Sequence, residues 1–96
     1  MSAYLVAEVD WRDPEIQKEY RAKLGPTLEK YGGRTVAAGP PRLLEGDWKP
    51  PRVVVIEFPT MDSLLRWYAS EEYAPLIRLR QRGARTSIVA VESALG

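Results

Sequence analysis

Val53 to Phe58 reads VVVIEF. A β-branched run of this kind is stiff at χ1 and fits a pleated surface better than a helix, so it predicts a strand. Its apolar residues fall at consecutive positions and therefore point to both faces, which requires a central strand covered on both sides. Ala3 to Val9 (AYLVAEV) makes the same demand and predicts the first strand of the chain. Thr35 to Ala38 (TVAA) reads as a short strand, and Thr86 to Glu92 (TSIVAVE) as the last one.

Between these strands the periodicity turns helical. Asp13-Pro14 supplies an N-cap and then a proline at the first helical position, where its missing N–H costs nothing. Ile16, Tyr20, Leu24, Leu28 and Tyr31 follow as one apolar stripe, and Gly32-Gly33 supplies the residue type that a left-handed C-cap requires. Pro26 falls inside this helix and predicts a kink near Gly25. Thr60 is placed to cap a helix from Met61 to Ala69, and Ser70 to cap another from Glu71 to Arg82 with acids in its first turn. Gly39 to Arg52, GPPRLLEGDWKPPR, is a proline-rich connection with a brief strand expected at Leu43 to Glu45. Connections this long in a small domain are often functional or contribute to an interface. Ser93 to Gly96 is expected to be a loose tail.

The resulting order is βαββαβ, the split βαβ or ferredoxin-like arrangement of an α+β domain, an antiparallel sheet with its helices on one face. Helices on one face leave the other bare, yet VVVIEF and AYLVAEV put apolar side chains there too. A second copy of the sheet would cover it, so an isologous homodimer is expected.

Composition narrows the chemistry. At 96 residues the chain is expected to form a single domain, and a domain of this size buries only about two thirds of its unfolded surface, which a partner subunit would supplement. With 45% hydrophobic and 28% charged residues, it is expected to be globular. No apolar run approaches the roughly 20 residues of a membrane-spanning helix, and Met1 to Asp10 lacks the pattern of a signal peptide. No membrane association and a cytoplasmic location are therefore expected. A net charge of +1 provides no long-range field for nucleic acid. Cysteine and histidine are absent, which removes disulfides, thiolate nucleophiles, the usual triads and most zinc or haem sites. No acid spacing matches a calcium loop, and no cofactor is expected.

WYASEEYAPLIRLR, Trp67 to Arg80, puts polar-tipped side chains where an amphipathic helix needs only leucines. With Tyr73 at zero and about 100° per residue, Leu76 and Ile77 flank it and Arg80 lies within about 20°, on the apolar face. Arg78 and Arg82 fall on the opposite, solvated side, so the basic run IRLRQRGAR is split and offers no coherent face to nucleic acid. A buried arginine needs a partner. Glu57, itself anomalous in an apolar strand, is the expected one, with Glu8 close by on the neighbouring strand. The pair reads either as a structural ion pair or as part of a pocket. Tyr20, Trp67, Tyr68 and Tyr73 read either as core with hydrogen-bonded tips or as the floor of a pocket between helices and sheet. Trp48, in a proline-flanked loop, is expected at the dimer contact.

Four motifs also carry a resemblance. YGGR (Tyr31 to Arg34), LEGDW (Leu44 to Trp48), VVIEFP (Val54 to Pro59) and WYASEEYAPLIRLR, in this order and spacing, resemble the domain of unknown function 1330 family. The match runs from AEVDWRDPEIQKEY to the last strand. It implies a dimeric α+β barrel and supplies no activity. Residues typical of the family fall on Tyr20, Gly33, Gly46, Arg52, Glu57, Phe58, Trp67, Ser70, Tyr73 and Arg80. One departure is SEEY, where the family usually has proline after the serine; glutamate suits a first helical turn, so the cap should survive. Wider relatives of the barrel include cofactor-independent monooxygenases and lactone isomerases, an analogy of fold and not of function.

Three readings are open at this point. The first is a homodimeric small-molecule-binding protein whose pocket uses Tyr20, Arg52, Trp67, Ser70 and Tyr73 and is polarised by Glu57 and Arg80. The second is a small cofactor-free isomerase or oxygenase with Glu57 as general base and Arg80 stabilising a developing enolate or carboxylate. The third is an interaction protein without a ligand.

Overall fold

The structure is a computed structural model that describes residues 1–94. The chain forms β1 (Ala3–Trp11), α1 (Pro14–Glu29), β2 (Arg34–Gly39), β3 (Val53–Phe58), α2 (Met61–Tyr68), α3 (Ala74–Gly83) and β4 (Ala84–Glu92). The strands make one antiparallel sheet in the order β2-β3-β1-β4. This is the ferredoxin-like βαββαβ arrangement, with its second helical segment divided in two. VVVIEF and AYLVAEV are its two central strands, with Leu5 opposite Ile56 and Glu8 opposite Val53.

Local chemistry accounts for the helix ends. Asp13 Oδ1 accepts the N–H groups of Glu15 at 3.0 Å and Ile16 at 3.2 Å, and Pro14 follows the cap. At the other end Gly32 adopts a φ of 73°, Gly33 N–H donates to the Leu28 carbonyl and Gly32 N–H to that of Glu29. These two bonds are the Schellman closure, and glycine allows the positive φ it requires. Pro26, the reason a kink is expected near Gly25, lies inside α1, which continues to Glu29. Thr60 Oγ1 caps α2 by accepting Ser63 N–H at 3.0 Å.

Two expectations are corrected. No strand forms at Leu43 to Glu45: the segment from Pro40 to Arg52 has neither strand nor helix. Its prolines withhold ladder donors, and Leu44, 90% exposed, has no neighbour to pair with. The helix expected from Glu71 begins instead at Ala74. Pro75 disfavours regular helix before it, and residues 71–73 form a turn. Ser70 still closes that turn, its Oγ accepting Tyr73 N–H at 3.2 Å. The tail begins tied down, with Ser93 N–H donating to the Ser2 carbonyl at 2.9 Å; residues 95–96 lie outside the described part.

All three helices cover one face of the sheet. Ala3, Leu5, Ala7 and Val9 of β1 and Ile56 and Phe58 of β3 alternate into that side, where Leu28, Leu64, Trp67, Tyr73, Leu76 and Leu79 complete the core. By the period of two, Tyr4, Val6, Glu8, Val55 and Glu57 face the other way. The register adds Val89 and Val91, opposite Val6 and Tyr4, and these two are 58% and 50% exposed. Among the described residues no helix is long and apolar enough to cross a membrane.

Candidate functional site

A cavity of about 370 Å³ lies between α1 and the inner face of the sheet. Its floor is Leu5, Ala7 and Val9 of β1 with Val54, Ile56 and Ile88; Tyr20, Leu24 and Gly25 of α1 close it from above, and Trp67, Tyr73 and Arg80 line its helical end. The space has a local origin in small residues. Ala7 lies on the floor, and a Cβ built on Gly25 would meet nothing within 4 Å. On the β2 side the cover is thin: Thr35 and Ala38, which face the cavity, are both exposed.

Arg80 is 4% exposed and on the apolar face of α3, as the helical projection requires. Its Nη1 donates to Thr86 Oγ1 at 2.6 Å. Its Nε and Nη2 are buried and find no hydrogen-bond partner among the described residues. Burial works against the charge, but the nearby hydroxyls of Tyr73 and Tyr20 outweigh it, and the pKa lies above the ordinary arginine value. The guanidinium therefore stays charged. Arg21 and Arg52 also line the cavity, and none of the described residues around it is acidic.

Aromatic side chains form the rest of the polar end. The Tyr20 and Tyr73 hydroxyls are 2.6 Å apart and share a hydrogen bond. Burial pushes the Tyr20 hydroxyl well above the usual phenol range, its neighbour Tyr73 adds to this, and Arg80 opposes it, so Tyr20 stays neutral. Trp67 stacks on Tyr73 at 3.9 Å between ring centroids, and its indole N–H donates to Thr27 Oγ1 at 3.1 Å. Trp11 packs against Tyr20 at 5.5 Å.

Of the residues singled out in the sequence, Tyr20, Arg52, Trp67, Tyr73 and Arg80 meet at this cavity. Ser70 does not line it. Its hydroxyl donates to the Trp67 carbonyl at 2.7 Å and accepts Tyr73 N–H, so it fixes the turn that brings the two stacked rings together. Tyr68 is 38% exposed and contacts the edge of the same aromatic group.

The expected pairing of Glu57 with Arg80 is not found. Glu57 lies on the opposite face, where Arg34 Nε and Nη2 donate to its Oε1 at 3.0 and 2.7 Å and the Tyr4 hydroxyl donates to Oε2 at 2.8 Å. Alternation is the cause: with Ile56 and Phe58 in the core, Glu57 between them must point away from the helices that carry Arg80. The Tyr4 hydrogen bond, and then that of Arg34, hold its carboxyl below the usual glutamate range. Glu8 shares that face but not that place. Antiparallel pairing sets Glu57 against Tyr4 and Glu8 against Val53, toward opposite ends of β3. Trp48, expected at a dimer contact, is 57% exposed in the loop after β2.

Thr86, the partner of Arg80, was not singled out by sequence reasoning. Its signal is present all the same: in TSIVAVE it is the polar residue at the inward parity of Ile88. Gly33 and Phe58 explain each other, because a Cβ on Gly33 would sit 2.6 Å from the Phe58 ring. Gly46 has a φ of 91°, the left-handed region that glycine enters freely.

Residues 2–94 match the family described as a domain of unknown function, DUF1330. The chain belongs to that family. Comparison with curated proteins finds no match. Among solved structures, a protein of unknown function from Rhodopseudomonas palustris is 20% identical with a TM-score of 0.76, over 99% of this chain and 84% of that one. A dimeric ferredoxin-like protein of unknown function from Jannaschia sp. CCS1 is 15% identical with a TM-score of 0.72, over 97% of this chain and 100% of that one. SnoaB, a cofactor-independent oxygenase from Streptomyces nogalater, is 14% identical with a TM-score of 0.70, over 99% of this chain and 95% of that one. Likeness at these identities shows that this family member shares their fold.

Proposed function

We propose that this DUF1330 protein is a homodimeric small-molecule-binding protein, with one ligand held in each chain by the cavity between α1 and the sheet. The observation that carries the reading is the meeting of Tyr20, Arg52, Tyr73 and the buried Arg80 at one apolar cavity of about 370 Å³. Ligand pockets have this make-up, apolar walls with few convergent polar groups, in a volume of about 300–1,000 Å³. The dimer is supported by Val6, Val55, Val89 and Val91 on the face without helices, and by similar structures that are described as dimeric. Two such faces packed together would remove the valines from water.

The likeness in fold to a cofactor-independent oxygenase supports, as a second reading, catalysis in the same cavity. Glu57 is not positioned to be its base, since it lies across the sheet and Tyr4 and Arg34 hold it ionised.

The test uses a neutral apolar probe. Naphthamide should bind saturably at one per chain by calorimetry, and Leu24→Trp, which fills the cavity, should abolish that binding in a folded protein. Equal binding to Leu24→Trp and to the wild type would remove the reading. For the dimer, sedimentation should show two chains at micromolar concentration and one chain for Val89→Asp; a wild-type monomer would refute it.

A further inference from the structure

Resting on the reading that the cavity takes a small molecule, we propose that the ligand is a carboxylate with an apolar body, its two oxygens held side-on by Nε and Nη2 of Arg80. Three observations converge on this.

The first is the direction of the unpartnered donors. Thr86 uses Nη1, which leaves Nε–H and one N–H of Nη2, adjacent and parallel on one edge of the planar group. That edge matches the two oxygens of a carboxylate. The protein uses the same edge elsewhere: Arg34 donates from Nε and Nη2 to Glu57. The second is charge. Arg21, Arg52 and Arg80 line the cavity with no acid among the described lining residues, so an anion would be the one ligand class to bring the buried guanidinium a counter-charge.

The third is donor count. Tyr20 and Tyr73 have two hydroxyl hydrogens, and the bond between them uses one. The other is left to donate beside Arg80, giving three donors for one planar anion. A phosphate group would bring a third terminal oxygen and up to two charges into the same apolar end, more than the side-on pair of N–H groups matches. Beyond the guanidinium the walls are Leu5, Val9, Leu24, Ile56 and Trp67, whose indole N–H is already bonded to Thr27, and the other polar side chains of the lining, Gln17, Arg21, Thr35 and Arg52, are half-buried or exposed. The body of the ligand is therefore apolar.

Three probes of one shape separate the alternatives: naphthoate, naphthamide and naphthyl phosphate. Naphthoate is expected to bind the wild type about tenfold or more tightly than naphthamide, as charge-assisted hydrogen bonds require, and more tightly than naphthyl phosphate. In Arg80→Met the preference for naphthoate over naphthamide should disappear while naphthamide binding remains. Arg80→Lys, which keeps the charge but not the paired edge, should retain only part of it. Should Arg80→Met not fold, the wild-type ranking and Arg80→Lys decide alone.

Equal binding of acid and amide overturns the carboxylate assignment and leaves the cavity reading standing. Preference for the phosphate overturns the assignment in favour of another anion class. Binding of none of the three overturns both readings together.

Discussion

Arg34 and Arg80 present the same guanidinium edge on the two sides of one sheet, and their surroundings differ in every other respect. On the outer face Arg34, with 74% of its side chain exposed, forks onto Glu57. On the inner face Arg80, 4% exposed, has one hydroxyl partner and two buried nitrogens without any among the described residues. Water makes the first pair nearly dispensable, because exposed ion pairs contribute about 0–1 kcal/mol. Its exclusion leaves the second group dependent on the nearby Tyr73 and Tyr20 hydroxyls, which offset the penalty of burial but supply no counter-charge. The contrast teaches where to look for function: a satisfied ion pair at the surface explains itself, whereas a charge held against its own solvation asks for an occupant.

The two faces can be separated most forcefully through the packing that builds the inner one. Trp67 is 1% exposed, stacked on Tyr73 and 5.4 Å from the Phe58 ring. Trp67→Ala should cost about 3–5 kcal/mol in urea unfolding, through lost burial and the hole left behind. Small domains are stable by only about 5–15 kcal/mol, so a large part of the reserve would go. A loss under about 1 kcal/mol would mean that the inner face is not packed as described.

A smaller effect, of opposite sign, is expected for the arginines themselves. Arg80→Met removes a buried charge and keeps an unbranched apolar chain, so stability should be unchanged or higher by about 1 kcal/mol. Arg34→Met should stay within about 1 kcal/mol of the wild type. If Arg80→Met instead lost about 3 kcal/mol or more, Arg80 would have a strong partner in solution, and the contrast between the faces would fail.

How far this arrangement could be read in the sequence depends on what each signal measures. Strand order and helix ends were legible because they rest on strong local chemistry: the β-branched run Val53 to Ile56, the Asp13-Pro14 cap and the Gly32-Gly33 closure. Arg80 was legible because helical spacing reports a side chain's direction without a partner being known. The partner was not. VVVIEF carries apolar side chains at both parities, and a strand expected to be covered on both faces gives Glu57 no open side to be assigned to, so its face was not fixed. Once Phe58 is known to be core, the answer is forced. The cavity itself was out of reach, because it arises from side chains that are small or missing, at Ala7 and Gly25, and absent volume leaves no periodicity. The turn after Ser70 shows a third limit, since Ser70 closes a turn as its residue type suggests but does not cap the helix, whose start Pro75 moves to Ala74 behind Tyr73.

The smallest expected effect concerns Glu57, and it asks whether the outer face is open at all. Its carboxyl titrates below the ordinary glutamate value of 4.5, chiefly through the Tyr4 hydrogen bond and then through Arg34. A depressed folded-state pKa means that folding favours the ionised form. The contribution is therefore present above the unfolded pKa and is lost as pH falls through the folded one. Tyr4 is raised above 10.0 by the same bond, so its contribution is present below that value and fades as pH rises through the folded pKa. Glu57→Gln should accordingly match the wild type in acid, unfold at a slightly lower temperature near neutrality, and show a weaker loss in strong base. Thermal unfolding across pH checks both ends, and the same melting temperature at all pH values would contradict the bond to Tyr4. Salt then sharpens the result. On a face open to water the difference near neutrality should vanish in about 1 M NaCl, where the screening length is about 3 Å. On a face covered by a second chain the ions cannot enter, and the difference should survive.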